Sequence, residues 1–204
     1  MRVFILGATG GIGRELVQQS LARGHEVTAL VRSPEKMRAR SEKLAVIVGD
    51  PRNAELFTRA LPGHDAILSS LGHVRGGSVT ILQESVRSLV SAMGETGVRR
   101  VLVVSVAFLF RETGLPGTIL RNIVLRANGA DSKDMERVLA ESGLDWMVVR
   151  PPRLTNGPRT EHYRVEDGHL PRRGFLISRA DVAHFMLDET EKSVHIRQIV
   201  GVCR

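Results

Sequence analysis

The chain has 204 residues, 42% apolar and 25% charged, a balance that excludes a disordered or fibrous chain and leaves one globular domain over 1–204. No apolar run approaches the ~20 residues that span a bilayer, and the single Cys203 cannot form an internal disulfide. The net charge of +7 is scattered without a block of five basic residues, and aromatic content is only 4%, so neither nucleic acid nor membrane is expected as a partner. The opening VFIL is too short for a signal-peptide core and runs directly into a glycine turn, so a cytoplasmic location is expected.

In chain order, Arg2–Leu6 reads as a buried strand and Gly11–Arg23 as a helix with Ile12, Leu16, Val17 and Leu21 on one face. Gly24 ends that helix before a second strand, Glu26–Val31, and a third, Lys43–Val48, closed by Gly49-Asp50-Pro51. Asn53 suits the N-cap of a helix carrying Leu56, Phe57 and Ala60, and Pro62-Gly63 breaks it ahead of a strand at Asp65–Leu68. A long amphipathic helix from about Val79 to Thr96 ends at Gly97, followed by the strand Arg100–Ser105. Farther on come a helix Ser132–Ser142, a strand Asp145–Val149 and a hairpin-like stretch around Tyr163–Glu166. A helix starting near Ser178 and a strand near Ile196–Val202 complete the chain.

Repeated strand–helix alternation predicts an α/β fold, a doubly wound parallel sheet of Rossmann type with helices on both faces. Ligands of such sheets lie beyond the carboxyl ends of the strands, where strand order reverses. Candidate site residues are therefore those that follow the strands, in 7–13, 32–33, 50–51, 70–72, 105–108 and 150–155.

Gly7, Gly10 and Gly13 stand between the first strand and the first helix with G-x-x-G-x-x-G spacing, close to the dinucleotide fingerprint. Glycine there permits a tight turn and close approach of a pyrophosphate to the unpaired N–H groups of the helix start. NAD-binding folds place an acidic residue after the second strand for the ribose 2′-hydroxyl. This chain has Arg32-Ser33 there, and an arginine pairs with a 2′-phosphate, so NADP(H) is preferred over NAD(H).

GATGGIG, LVRS, GD after strand three, LG after strand four, SVAFLF after strand five, VLAESGLDWMVVRPPRL and ISRADVAHFML together resemble the atypical short-chain dehydrogenase/reductases. Within them, the resemblance is to the NAD(P)H-binding group with biliverdin-IXβ reductase/flavin reductase. It spans Val3 to about Leu187. It implies an NADPH-dependent reductase that passes hydride to a flavin or tetrapyrrole-like small-molecule acceptor, working as a monomer or homodimer. It also implies that Gly7, Thr9, Gly10, Gly11 and Ile12 hold the pyrophosphate, Arg32 and Ser33 the 2′-phosphate, Asp50 and Pro51 the adenine, and Leu71 and Gly72 the adenosine and pyrophosphate. Ser105 falls near the nicotinamide, with Pro151 to Leu154 closing over it. Three features depart from the pattern. Pro51 has no N–H to offer adenine, Arg153 stands where a histidine is typical, and Arg111–Asn128, with Ile119, Leu120, Ile123 and Val124 at helical spacing, is longer.

Orthodox members use a Tyr-x-x-x-Lys pair as general acid/base. The only tyrosine, Tyr163, is followed four residues later by Asp167, and none lies near Ser132-Lys133, so alcohol–ketone chemistry is not expected. A flavin or tetrapyrrole can take its proton from solvent, leaving orientation and shelter to the protein. Ser105 and Arg153 are the candidate catalytic residues, with Phe108 and Pro152 as acceptor walls, in a substrate region around 107–130 and 151–176. Two rival readings are a non-catalytic NADP-binding sensor of the NmrA type and an epimerase- or ether-reductase-like enzyme. His25, His64, His73, His162, His169, His184 and His195 show no metal-ligand spacing, so no metal is expected, and only His73 falls near the site. His184 and Phe185 read as packing, and Asp131, Asp134 and Glu136 as a charge bias at their own helix N-terminus.

Overall fold

The computed structural model describes residues 1–73, 77–110 and 128–204. In chain order the elements are β1 (Arg2–Leu6), α1 (Gly11–Ala22), β2 (Glu26–Val31), β3 (Leu44–Val48), α2 (Ala54–Ala60) and β4 (Ala66–Ser69). After these come α3 (Ile81–Thr96), β5 (Arg100–Val104), α4 (Asn128–Glu141), β6 (Asp145–Arg150), β7 (Arg153–Thr155) and β8 (Arg164–Asp167). The chain closes with β9 (Leu176–Ser178), α5 (Arg179–Lys192) and β10 (Gln198–Cys203).

The main sheet has the order β3-β2-β1-β4-β5-β6-β10-β8. All neighbours are parallel except β10 and β8. The chain winds outward from β1 to β3, then returns to the other side of β1 to lay down β4, β5 and β6. The reversal lies between β1 and β4, where Val3 pairs with Val27 on one side and Ala66 on the other.

The run VFIL is apolar at consecutive positions because β1 is covered on both faces, as buried parallel strands are. Val3 and Ile5 pack with Leu16 of α1 and Phe185 of α5. Phe4 and Leu6 turn the other way, toward Phe57 of α2, Leu89 and Met93 of α3, and Met135 of α4. Two helical layers result, α1 with α5 on one face and α2, α3 and α4 on the other.

Local signals set the helix ends as expected. The Asn53 side chain accepts the Leu56 N–H at 3.1 Å, and Gly97 closes α3 at φ +75°. Other expectations need correction. Helix α4 begins at Asn128 rather than Ser132, and α3 at Ile81 rather than Val79. The stretch around Tyr163–Glu166 forms no local hairpin, because β8 pairs antiparallel with the distant β10. The parallel pair β7–β9 was not anticipated, since three-residue strands carry too little periodicity to read. Only a 3-10 turn at Pro34–Lys36 joins β2 to β3, so no helix covers the outer strand there and Val48 is 59% exposed. The helical spacing in Arg111–Asn128 lies outside the described residues, apart from Asn128.

Candidate functional site

The turn between β1 and α1 is built from glycine for steric reasons that distance makes explicit. Gly7 has φ +76°, and a Cβ on it would lie 2.6 Å from the Ser70 carbonyl oxygen at the end of β4. A Cβ on Gly13 would lie 2.0 Å from the Gly7 carbonyl oxygen. The turn closes with Gly10 N–H donating to Gly7 C=O at 2.9 Å, and the first bond of α1 runs from Arg14 N–H to Gly10 C=O at 3.0 Å. Among the described residues, the N–H groups of Gly11, Ile12 and Gly13 are thereby left without a main-chain acceptor. No acidic side chain occupies the first turn of α1. Free donors and the positive end of the helix dipole make this an anion cradle.

A cleft of about 280 Å³ runs from that turn across the ends of β2, β3 and β4. It brings together eight of the expected residues: Gly7, Thr9, Gly10, Arg32, Ser33, Pro51, Leu71 and Gly72. Ser70, from the expected stretch 70–72, also lines the cleft, as does Lys36 on the 3-10 turn after β2, which was not picked out from the sequence. Arg32 lies outside the 3-10 turn Pro34–Lys36, so no helical spacing relates the two residues, and Lys36 reaches the cleft only because that turn follows β2. No carboxylate is among the lining residues. Asp50 stands beside the cleft, its carboxylate accepting from Arg52 Nη2 at 2.6 Å and Nε at 2.9 Å. That guanidinium holds the Asp50 carboxyl below the usual carboxylate range. Two expected residues face the cradle through their main chain alone: the Ile12 side chain is buried in the core, and Gly11 also lines a neighbouring cleft.

The remaining candidates follow β5 and β6. Ser105 is buried, its N–H donates to Val149 C=O at 2.7 Å, and its Oγ has no hydrogen-bond partner among the described residues. A buried hydroxyl without a partner is costly, and a strand end is where a ligand relieves that cost. Ala107 N–H donates to Pro151 C=O at 3.1 Å, which ties the segment after β5 to the one after β6. Pro151 is buried, and Phe108, Pro152 and Leu154 are half-buried. Arg153 is exposed on β7, with its N–H bonded to Phe175 C=O at 3.3 Å, and no described contact brings its side chain to Ser105.

The acidic group on α4 departs most from expectation. Asp131 does not serve its own helix. It is buried, and its two oxygens accept Leu82 N–H and Gln83 N–H, each at 2.9 Å, capping the start of α3. The same carboxylate meets His73 Nε2 at 2.8 Å. Glu136, also buried, forms a two-pronged pair with Arg150 at the end of β6, whose guanidinium lies 4.6 Å from the Phe110 ring centre. Only Asp134 is engaged in a local helical pair, with Arg137 at 2.9 Å. Partners on other elements, 14 residues away for Glu136 and 48 to 58 for Asp131, leave no local mark, which is why spacing could not reveal these roles.

Tyr163 is bound at the far end of the molecule. Its hydroxyl meets His184 Nδ1 at 2.8 Å, and the same turn of α5 is held by Arg23, the residue that ends α1. A helix of α1's length spans about 18 Å, so this phenol lies far from the glycine turn. Burial pushes it above the usual tyrosine value, unsuited to proton transfer near neutrality. Tyr163→Phe is expected to leave NAD(P)H binding and any reductase turnover within about twofold. It should cost about 0.5–1.5 kcal/mol of stability in urea unfolding. Among the described residues no group of three or more His, Cys, Asp or Glu could hold a metal ion, and no helix is long and apolar enough to cross a membrane.

Reversed strand order, an anion cradle at the first turn and a cleft over the strand ends define a Rossmann-type nucleotide-binding protein. Residues 7–193 match the NAD(P)H-binding family, and the chain belongs to it. Among curated relatives, the photosystem II assembly factor Ycf39 of Synechocystis is 29% identical over 74% of this chain, which spans only 44% of that protein. A short-chain dehydrogenase/reductase from Veillonella parvula, solved in complex with NADP, superposes with TM-score 0.86 at 21% identity, covering 100% of this chain and 94% of that one. A Streptococcus pneumoniae protein described provisionally as an NADH-flavin reductase superposes with TM-score 0.83 at 24% identity, covering 100% and 99%. The residues fit the dinucleotide on physical grounds as well: free N–H donors at the cradle, glycines where a Cβ would clash, and two basic side chains along the cleft.

Proposed function

We propose that the chain is an NADPH-dependent reductase whose acceptor is a flavin or a tetrapyrrole-like molecule. The observation that carries the cofactor choice is the cleft wall where Arg32 and Lys36 stand together with no carboxylate among the lining residues. Two cations suit a 2′-phosphate, and no acceptor is offered to a 2′-hydroxyl. A bound dihydronicotinamide supplies hydride. The chain's own part is then to bind, orient and shelter. Gly10 to Gly13 receive the pyrophosphate. The Ser105 hydroxyl, otherwise without a partner, orients the reacting end. Pro151, Pro152 and Phe108 keep water from one side of it, and exposed Arg153 draws an acidic group of the acceptor.

A flavin or tetrapyrrole acceptor is favoured because no tyrosine–lysine pair stands on α4 and the one tyrosine is committed to His184. The flavin reductase description of the pneumococcal structure agrees with this reading. We place the whole chain in one NAD(P)-binding domain, with the acceptor region formed around 107–130 and 151–176, and we take the acceptor to be its small-molecule partner.

The test is steady-state oxidation of NADPH, with NADH in parallel, against FMN, riboflavin and biliverdin. Turnover with at least one acceptor and a preference for NADPH is the expected result. Tight NADPH binding with no turnover on any acceptor makes the chain a nucleotide sensor instead. Arg32→Ser with Lys36→Ser is expected to raise KM for NADPH by about 10- to 100-fold, from ~1.5–3 kcal/mol for hydrogen bonds to a charged group, and to leave KM for NADH nearly unchanged. Equal effects on both cofactors would remove these residues from 2′-phosphate recognition.

A further inference from the structure

A second cleft, of about 390 Å³, opens beside the glycine turn and shares no lining residue with the dinucleotide cleft. Gly7, Thr9 and Gly10 line the first, whereas Ala8 and Gly11 line the second. Its walls come from three places: α1, the segment after β2, and the junction at which β7 ends and α5 begins.

Three arginines meet there. Arg179 is half-buried, and its Nη1 donates to Asn156 Oδ1 at 2.7 Å. Its stem lies against the first residue of α1 so closely that a Cβ on Gly11 would sit 2.4 Å from Arg179 Cδ. Gly11 therefore makes room for this side chain. Arg14 and Arg38 are exposed along the same cleft, and among the described residues neither makes a hydrogen bond or ion pair. The one carboxylate in the lining, Glu15, accepts from Gln19 Nε2 at 3.2 Å. Three guanidinium groups against one carboxylate leave an excess of two positive charges, beside the positive end of α1. Planar guanidinium forks match phosphate oxygens, and a cleft of this size suits a small molecule rather than a lone ion.

We propose that this cleft binds the phosphate group of a small phosphorylated ligand, at a site separate from that of the dinucleotide. Arg179, set in place by Asn156 and Gly11, supplies the fixed contact, and Arg14 and Arg38 close on the ligand from either side.

The experiment is calorimetric titration of inorganic phosphate into the full chain at low ionic strength, with and without saturating NADPH. Phosphate is expected to bind in both cases, and at one site per chain once NADPH fills the dinucleotide cleft. Arg14→Gln with Arg38→Gln should weaken it at least about tenfold, the effect of losing hydrogen bonds to a charged group. NADPH affinity should move by less than about twofold, and the thermal midpoint in phosphate-free buffer should not change. Four outcomes overturn the proposal. The parent chain takes up no phosphate. Saturating NADPH abolishes the binding, assigning it to the dinucleotide cleft. The double variant binds phosphate as tightly as the parent. Or the double variant loses affinity for NADPH but not NADH, which makes these arginines part of 2′-phosphate recognition.

Discussion

Gly13→Ala is expected to weaken NAD(P)H binding by about 100-fold or more and to destabilise the fold by about 1–3 kcal/mol. The added Cβ would lie 2.0 Å from the Gly7 carbonyl oxygen and 2.8 Å from Ala8 Cα, both main-chain atoms of the turn that receives the pyrophosphate. No rotamer change relieves such a contact. The turn and the first residues of α1 must move apart, and the N–H groups that converge on the ligand move with them. The same substitution at Gly94 serves as the control, because nothing lies within 4 Å of a Cβ there and the position is exposed within α3. Gly94→Ala is expected to stabilise the chain by about 0.5–1 kcal/mol without affecting binding. Denaturant midpoints and fluorescence titration with NADPH read both effects. Unchanged NADPH affinity in Gly13→Ala would remove this turn from the binding site.

Glu136→Ala is expected to cost about 3–5 kcal/mol, the largest effect on stability foreseen for a single side chain. Arg150 lies at the end of β6, only 9% exposed, and its guanidinium makes a two-pronged pair with the Glu136 carboxylate. Removal of the carboxylate leaves a buried cation without its counter-ion, with the Phe110 ring against it. The desolvation of that cation, and not the attraction it loses, sets the size of the effect. Replacing both partners, Glu136→Leu with Arg150→Met, should therefore recover much of the loss. Urea unfolding of the single and double variants checks this, with the transition midpoint falling and its slope constant for the single variant. A single variant within about 0.5 kcal/mol of the parent would show that the pair does not bear on stability. Because Arg150 directly precedes Pro151, the single variant should also disturb the proposed acceptor end of the site.

The reach of sequence reasoning followed the range of the interactions involved. The anion cradle was legible because its turn is written in the seven residues from Gly7 to Gly13, although the Ser70 carbonyl at the end of β4 also crowds Gly7. Backbone sterics at one turn, with a strand before it and a helix after it, write themselves into residue type. The α/β alternation and the buried first strand were legible for the same reason, since periodicity and continuous apolar runs are local records of burial. Arg32 could be picked out because the end of β2 was known once β2 was found.

The residues that sequence reasoning missed or misread are those defined by distant partners. Asp131, Asp134 and Glu136 stand close together on one helix and look alike in sequence. Burial sorts them into a cap for α3, a surface pair and a buried counter-ion for β6. Gly11 stands by spacing in the proposed pyrophosphate turn, and its missing side chain makes room as well for an arginine 168 positions later, which spacing could not show. By itself the sequence determined that a nucleotide-binding turn exists and where it stands, because backbone sterics and hydrophobic periodicity act between neighbours. Only the tertiary structure decided which charges are paired, which hydroxyl is left without a partner and which arginines converge, because desolvation and ion pairing depend on distance in space, and a linear pattern does not encode it.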